Sequence, residues 1–291
     1  MSSATAPAPP VRRRRRGRSR RSSVALHATL LLASAIAIFP VLWLLLTSFK
    51  RREDITTATL EILPPVWTVA NYDFVLSQTQ FPTWFFNSVV VALFTTIVGI
   101  FLAATAAYSF SRYRFPAYRP ALMSFLVVQM FPMAILIVPF WNIINNLGLI
   151  NTKTGLVLAY STTAVPFCVW MLKGYFDTIP ISIEEAGQID GLTPFGTFWK
   201  IVMPLSKPGL AVTGFYAFIT AWNEVAYANI FLLEDAKYTL PIGLRTFVNQ
   251  FEIHYEWLNA GAILVTVPSM IVFLLVQRYL VAGLTRGGVK G

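Results

Sequence analysis

The sequence predicts an all-α polytopic membrane protein with six transmembrane helices. Three observations lead there. Of the 291 residues 56% are apolar and only 12% are charged, whereas soluble domains carry about 25% charged residues. The uncharged stretches are as long as a bilayer crossing. Lys and Arg are also shared unevenly between the two sides that those stretches define.

A membrane-spanning helix needs about 20 mostly apolar residues. Uncharged intervals of 28, 38, 33, 19 and 21 positions separate Arg21 from Lys50, Asp73 from Arg112, Arg119 from Lys153, Lys153 from Lys173 and Glu256 from Arg278. A sixth apolar stretch, Pro208 to Leu233, is interrupted only by Glu224. The expected helices cover 24–47, 85–110, 120–143, 155–176, 209–233 and 259–281. They form one transmembrane domain over 24–281, with a basic tail at 1–23, a loop at 177–207 and a C-terminal tail at 282–291.

The first apolar stretch follows a basic region, as in a secretory signal, and Arg20-Arg21 faintly resembles a twin-arginine signal. Its apolar run is too long for a signal core and further spans follow, so an uncleaved first helix is the better reading.

The formal charge is +10, and eight of the 23 Lys+Arg lie in the first 23 residues, which contain no acid. Basicity therefore belongs to the tail. A Ser/Pro/Arg tail cannot bury a core and is expected to be disordered against anionic lipid headgroups. No aromatic residue is interleaved with its arginines, which argues against nucleic acid as a partner.

With the N-terminus inside, 17 Lys and Arg fall on the cytoplasmic side and 6 outside. By the positive-inside rule both termini are cytoplasmic. Lys50, Arg51 and Arg52 oppose the rule, although Glu53 and Asp54 partly neutralise them. The two halves show no repeat, so inverted-repeat transporter folds gain no support.

The stretch from Asp177 to Lys207 is too long for a simple hairpin and reads as two short helices. Pro180 and Ser182 open the first, with Glu185 completing a capping-box pattern, and Gly191 ends it. Thr193 caps the second with Pro194 in its first turn. Phe195, Phe198, Trp199 and Val202 then form one apolar stripe before Met203-Pro204 stops the helix. Such a stripe must be buried in the lipid interface, in the protein's own bundle or in a partner's groove, and spacing alone does not separate these.

Glu185-Ala186-Gly187, three residues including Asp190, then Gly191, nine residues, and Ile201-Val202-Met203-Pro204 together resemble the EAA motif of ABC importer permeases. That motif runs Glu-Ala-Ala, three residues, Gly, nine residues, Ile, any residue, Leu-Pro. Gly187 and Met203 depart from it. Leu46 to Lys50, Asn71-Tyr72, Trp222-Asn223-Glu224 and the ending Gly283 to Gly291 are similar to the MalG-type permeases of carbohydrate importers.

The resemblance implies a MetI-like core in a bacterial inner membrane and a maltose or maltodextrin cargo. The implied partners are a MalF-type second permease, two copies of an ABC ATPase and an extracytoplasmic sugar-binding protein. It also implies that Glu185, Ala186, Gly187, Asp190, Gly191, Phe195, Phe198, Trp199, Ile201 and Pro204 couple this chain to the ATPase. Gly287, Gly288 and Lys290 in the C-terminal tail would insert between the ATPase subunits. The outer loop from Asn249 to Trp257, including Asn249, Phe251 and Tyr255, would reach into the binding protein, although its aromatics could instead form an interfacial belt.

No phosphate loop and no His-Glu-x-x-His occurs, so no ATP or catalytic zinc site is identified. A single Cys168 excludes a disulfide framework, and two histidines, His27 and His254, are too few for most transition-metal sites. The chain is expected to be no enzyme and to hold no cofactor.

Glu224 lies deep in the apolar stretch from Pro208 to Leu233, where an ionised carboxylate is costly unless it meets water or a partner. With Asn223, and Trp222 stacking on a sugar face, it is a candidate for the substrate pathway, as is Gln129. A structural hydrogen bond is the competing role for these and for Asn87 and Asn142. A secondary transporter using Glu224 as an ion site is the alternative function.

Overall fold

The computed structural model describes residues 20–57, 61–248 and 252–287. Asn249, Phe251, Gly288, Lys290 and the expected basic tail up to residue 19 lie outside the described residues.

Four helices are long and apolar enough to cross a membrane: α1 (Arg20–Ser48), α4 (Phe81–Arg112), α7 (Lys153–Phe176) and α14 (Tyr255–Gly287). Short helices α2 (Arg52–Ile55) and α3 (Ala70–Ser77) lie between α1 and α4, and α13 (Leu240–Arg245) comes before α14. The chain divides into residues 1–44 and 45–291. In the first unit the side chains of residues 24–42 are exposed.

Two of the six expected helices are broken. The stretch 120–143 forms α5 (Tyr118–Gln129) and α6 (Met133–Asn146), bent by 105°. Pro132 sits at the bend as the residue before α6; it lacks an N–H and pushes Phe131 away from helical geometry. The stretch 209–233 forms α11 (Lys207–Trp222) and α12 (Ala226–Phe231). At 16 residues, α11 is about 24 Å long, short of the roughly 30 Å hydrocarbon layer. The described residues therefore contain four continuous spans, or five if the bent pair counts as one.

Small residues let α4, α7 and α11 pack closely, as helices do where no hydrophobic force separates lipid from protein. Gly99, Ala103, Ala104 and Ala107 on α4, Ala159 and Ala164 on α7, and Gly209, Gly214 and Ala217 on α11 are all buried. At Gly209 a Cβ would lie 2.6 Å from the Tyr175 ring, so only glycine permits that approach.

The core has two clusters. One joins the N-terminal halves of α4 and α7 through Phe81, Trp84, Leu156 and Tyr160, with Trp222 and Phe231. The other joins their C-terminal halves through Tyr108, Phe110, Leu172 and Phe176, with Phe198 and Val202. At the first end, polar side chains tie loops to helices. Asn71 Nδ2 donates to the Ser48 and Lys50 carbonyls, both at 2.8 Å. Asn87 Nδ2 donates to the Ala236 and Tyr238 carbonyls at 3.0 and 2.9 Å. Asn87 thus has the structural role, although it bonds a loop rather than a neighbouring helix.

Candidate functional site

The second cluster carries the segment between α7 and α11, which folds into an elbow. It comprises α8 (Ile181–Ile189), α9 (Pro194–Thr197), a π-helical turn (Phe198–Val202) and α10 (Met203–Leu205). The expected capping box does not form. The residue before α8 is Pro180, no side chain caps it, and Glu185 is exposed. Thr193 does cap α9, accepting from the Gly196 N–H at 3.1 Å. Pro204 does not stop the helix, because it falls in the first turn of α10, where its missing N–H is harmless.

Arg112, the last residue of α4, fixes the elbow to the bundle. Its Nε donates to Glu184 Oε1 at 2.6 Å, and another guanidinium nitrogen donates to the Phe176 and Ile179 carbonyls at 3.0 and 3.1 Å. Those carbonyls lie at and just beyond the C-terminal end of α7, where helix carbonyls lack intrahelical partners and a cation is favourable. Tyr108 donates to Glu184 Oε2 at 2.8 Å, so both carboxylate oxygens are bonded. The Arg112 and Glu184 side chains are only 8% and 4% exposed. A buried ion pair is tolerable when its remaining hydrogen-bonding capacity is used, as here.

A second tie reinforces the first. Ser111 donates to Asp177 Oδ1 at 2.6 Å and Lys173 to Oδ2 at 2.7 Å. Partial burial pushes the Asp177 carboxyl up, but the bonds from Lys173 and Ser111 and the nearby positive charges outweigh this and hold it below its ordinary value.

The apolar stripe divides. Phe198 and Val202 are buried in the cluster, with the Phe198 ring 4.8 Å from Tyr108. Phe195 is 71% exposed and Trp199 half-buried. Together with Ile189, 86% exposed, they make the elbow's outer face, alongside exposed Glu185, Ala186 and Asp190. The stripe passes through the π-helical turn, where the register departs from that of an α-helix.

Gly187 and Ile201 interlock on the inner side, where a Cβ on Gly187 would lie 2.3 Å from Ile201 Cδ1. The glycine that departs from the motif is therefore matched by the isoleucine that belongs to it. Gly191 has φ +92°, in the left-handed region that glycine enters without strain. Its N–H bonds the Gln188 carbonyl at 3.0 Å, and Leu192 N–H bonds the Gly187 carbonyl at 3.0 Å.

Arg112, Glu184 and Tyr108 were not among the residues singled out from sequence. Arg112 entered only as a charge, and Tyr108 lay inside an apolar stretch. Helical spacing carried a usable signal, because Glu184 and Gly187 are three apart and share the inner face. The exposed Ile181, Ile183 and Ile189 obscured it.

The candidate pathway residues separate as well. Trp222 is 1% exposed, between the Phe85 and Phe218 rings, and presents no open face for a sugar. Asn223 is exposed and donates to the Ile219 carbonyl at 3.1 Å. Glu224 is buried and accepts from the Tyr227 and Ala228 N–H groups at 2.8 and 3.2 Å. It thus satisfies the first donors of α12. Gln129 ends α5 beside a cavity. At the other end of the molecule Tyr255 opens α14 half-exposed, and its neighbour His254 stacks on Trp257 at 3.9 Å. Glu252 pairs with Arg52 of α2.

A family model described as "Binding-protein-dependent transport system inner membrane component" matches residues 96–286, which include the elbow and the helices that hold it. The chain belongs to this family. It is an inner-membrane ABC transporter permease, not an enzyme.

The permease is 36% identical to the inner membrane ABC transporter permease protein YcjP of Escherichia coli, over 93% of this chain and 97% of that one. It is also 36% identical to the trehalose transport system permease protein SugB of Mycobacterium tuberculosis, over 88% and 93%. Among solved structures, a bacterial ABC transporter involved in import of the acidic polysaccharide alginate superposes with a TM-score of 0.78. That match has 23% identity over 90% of this chain and 98% of the other, and it bears on the fold alone.

Proposed function

We propose that this permease is the MalG-type membrane subunit of an ATP-driven, binding-protein-dependent sugar importer, with maltose or maltodextrin as cargo. In this reading it pairs with a MalF-type permease, two ATPase subunits and an extracytoplasmic sugar-binding protein. One observation carries the coupling role. The elbow is clamped to α4 and α7 through Arg112 and Glu184 while presenting Ile189, Phe195 and Glu185 outward.

A rigidly held elbow with an apolar tip works as a lever. Ile189 and Phe195 would enter a cleft on the ATPase, and Glu185 would pair with a cation at its rim. Closure of the ATPase dimer would push the elbow, and the Arg112 clamp would pass that displacement to the ends of α4 and α7. The pore between the two permeases would then switch from inward-facing to outward-facing as the binding protein releases sugar.

Because Glu185 is exposed, Glu185→Lys should leave the fold intact and abolish sugar uptake, with the protein still in the membrane. Uptake in cells and co-purification of the ATPase measure this. Normal uptake with a full complement of ATPase would refute the assignment.

Orientation is part of the proposal, from the distribution of Lys and Arg. A reporter fused after Phe195 should be cytoplasmic and one inserted near Phe247 should be outside. Both on one side would overturn it.

Family membership does not favour ion-coupled transport, and the Glu224 carboxylate is occupied in holding α12. Glu224→Gln keeps an acceptor there, so ATP-dependent uptake should persist in proteoliposomes containing all subunits with the proton gradient collapsed. Transport that stops on collapse despite ample ATP would sink the ABC mechanism.

A further inference from the structure

Polar side chains converge on one cavity of about 330 Å³ between the broken helices. Gln129 reaches it from the bend after α5, Thr162 and Thr163 from α7, Tyr216 and Thr220 from α11, and Tyr227 from α12. Its volume falls at the lower end of small-molecule sites, about 300–1,000 Å³. Thr162 and Thr163 lie near the middle of the 24-residue α7, about 14 Å along a helix of about 36 Å. The cavity is therefore at mid-depth in the membrane, where unpaired polar groups are costly and mark a ligand or water pathway.

Several of these groups keep hydrogen-bonding capacity that the protein does not use. The Tyr227 hydroxyl is buried against the Thr162 hydroxyl. Among the described residues, none hydrogen-bonds the side chains of Gln129, Tyr216 or Thr220. Thr162 and Thr163 donate to the Ala159 and Tyr160 carbonyls at 2.6 and 2.8 Å, which leaves the Thr163 oxygen able to accept.

We propose that this cavity binds one neutral, hydroxyl-rich sugar ring of the cargo as it crosses this subunit. Hydroxyl and amide groups both donate and accept, which matches sugar hydroxyls in either role. Phe131 and Phe140 add apolar faces for the C–H side of a sugar ring. No charged side chain is among the described residues that line the cavity, so a uronate or sulfonate would be desolvated there without a counter-charge. The inference rests on the importer reading, and sequence had pointed instead to Trp222, Asn223 and Glu224 beside Gln129.

The test compares uptake of trehalose, maltotriose and trimeric alginate by ATP-loaded proteoliposomes of the assembled transporter. The original chain and a Gln129→Leu/Thr220→Val double variant are measured side by side. The original should carry a neutral sugar and not alginate, and the double variant should lose at least tenfold in kcat/KM at equal yield of complex. An unchanged kcat/KM for a sugar that the original carries overturns the cavity and leaves the importer reading standing. Uptake of alginate alone overturns the neutral class. No ATP-dependent uptake by the original overturns the importer reading itself.

A binding measurement decides the cavity independently of transport. The only native cysteine, Cys168, is buried, so maleimide labelling of Thr220→Cys in the assembled complex reports on this position. Trehalose or maltotriose should slow labelling at least threefold and alginate should not. Equal rates with and without the neutral sugars overturn the proposal.

Discussion

Replacing Arg112 with alanine should abolish sugar uptake and loosen the elbow. The substitution leaves Glu184 buried with Tyr108 as its remaining donor. It also removes the donor to the Phe176 and Ile179 carbonyls. Breaking one partner of a buried pair costs about 3–5 kcal/mol, enough to release α8 from the bundle. Thermal unfolding of the purified permease should begin at lower temperature, and protease should cut between residues 177 and 193 where the unaltered chain resists. Arg112→Lys should rescue little, because one ammonium cannot reproduce the planar set of donors that reaches the carboxylate and both carbonyls. Wild-type uptake and protease resistance in Arg112→Ala would show that the clamp is not part of the lever.

Gly191→Pro should be nearly as severe, by a different route. Proline holds φ near −65° and has no N–H, while Gly191 has φ +92° and uses its N–H. The turn between α8 and α9 must then rearrange, moving Glu185 and Ile189 away from Phe195. Uptake should be lost although the protein still inserts. Gly191→Ala serves as the graded comparison, since an L-residue in the left-handed region costs about 1–2 kcal/mol, and it should transport at a reduced rate. If Gly191→Pro and Gly191→Ala were both fully active, the angle of the elbow would not matter to coupling.

Apolar periodicity, charge placement and the spacing from Glu185 to Pro204 made the helical class, the membrane setting and the elbow legible without any structure. Each depends on residues near one another in the chain. Thr193 as a cap and Gly191 as a turn glycine could be named for the same reason: a cap bonds three residues away, and a positive φ is a property of one residue.

What lies far apart in the chain could not be read in this way. Arg112 and Glu184 are 72 positions apart, and only the packing of α4 against α7 makes them a pair. That packing also decides which of Phe195, Phe198, Trp199 and Val202 face inward. Likewise the continuous apolar stretch around Glu224 says nothing of a break, because a carboxylate that caps a new helix and one that faces a pore look the same in sequence. Local chemistry thus determined the class of protein and the position of the elbow between α7 and α11. Tertiary structure decided which carboxylate anchors that segment, which stays exposed, and where unpaired polar groups collect inside the membrane, since these depend on which helices touch.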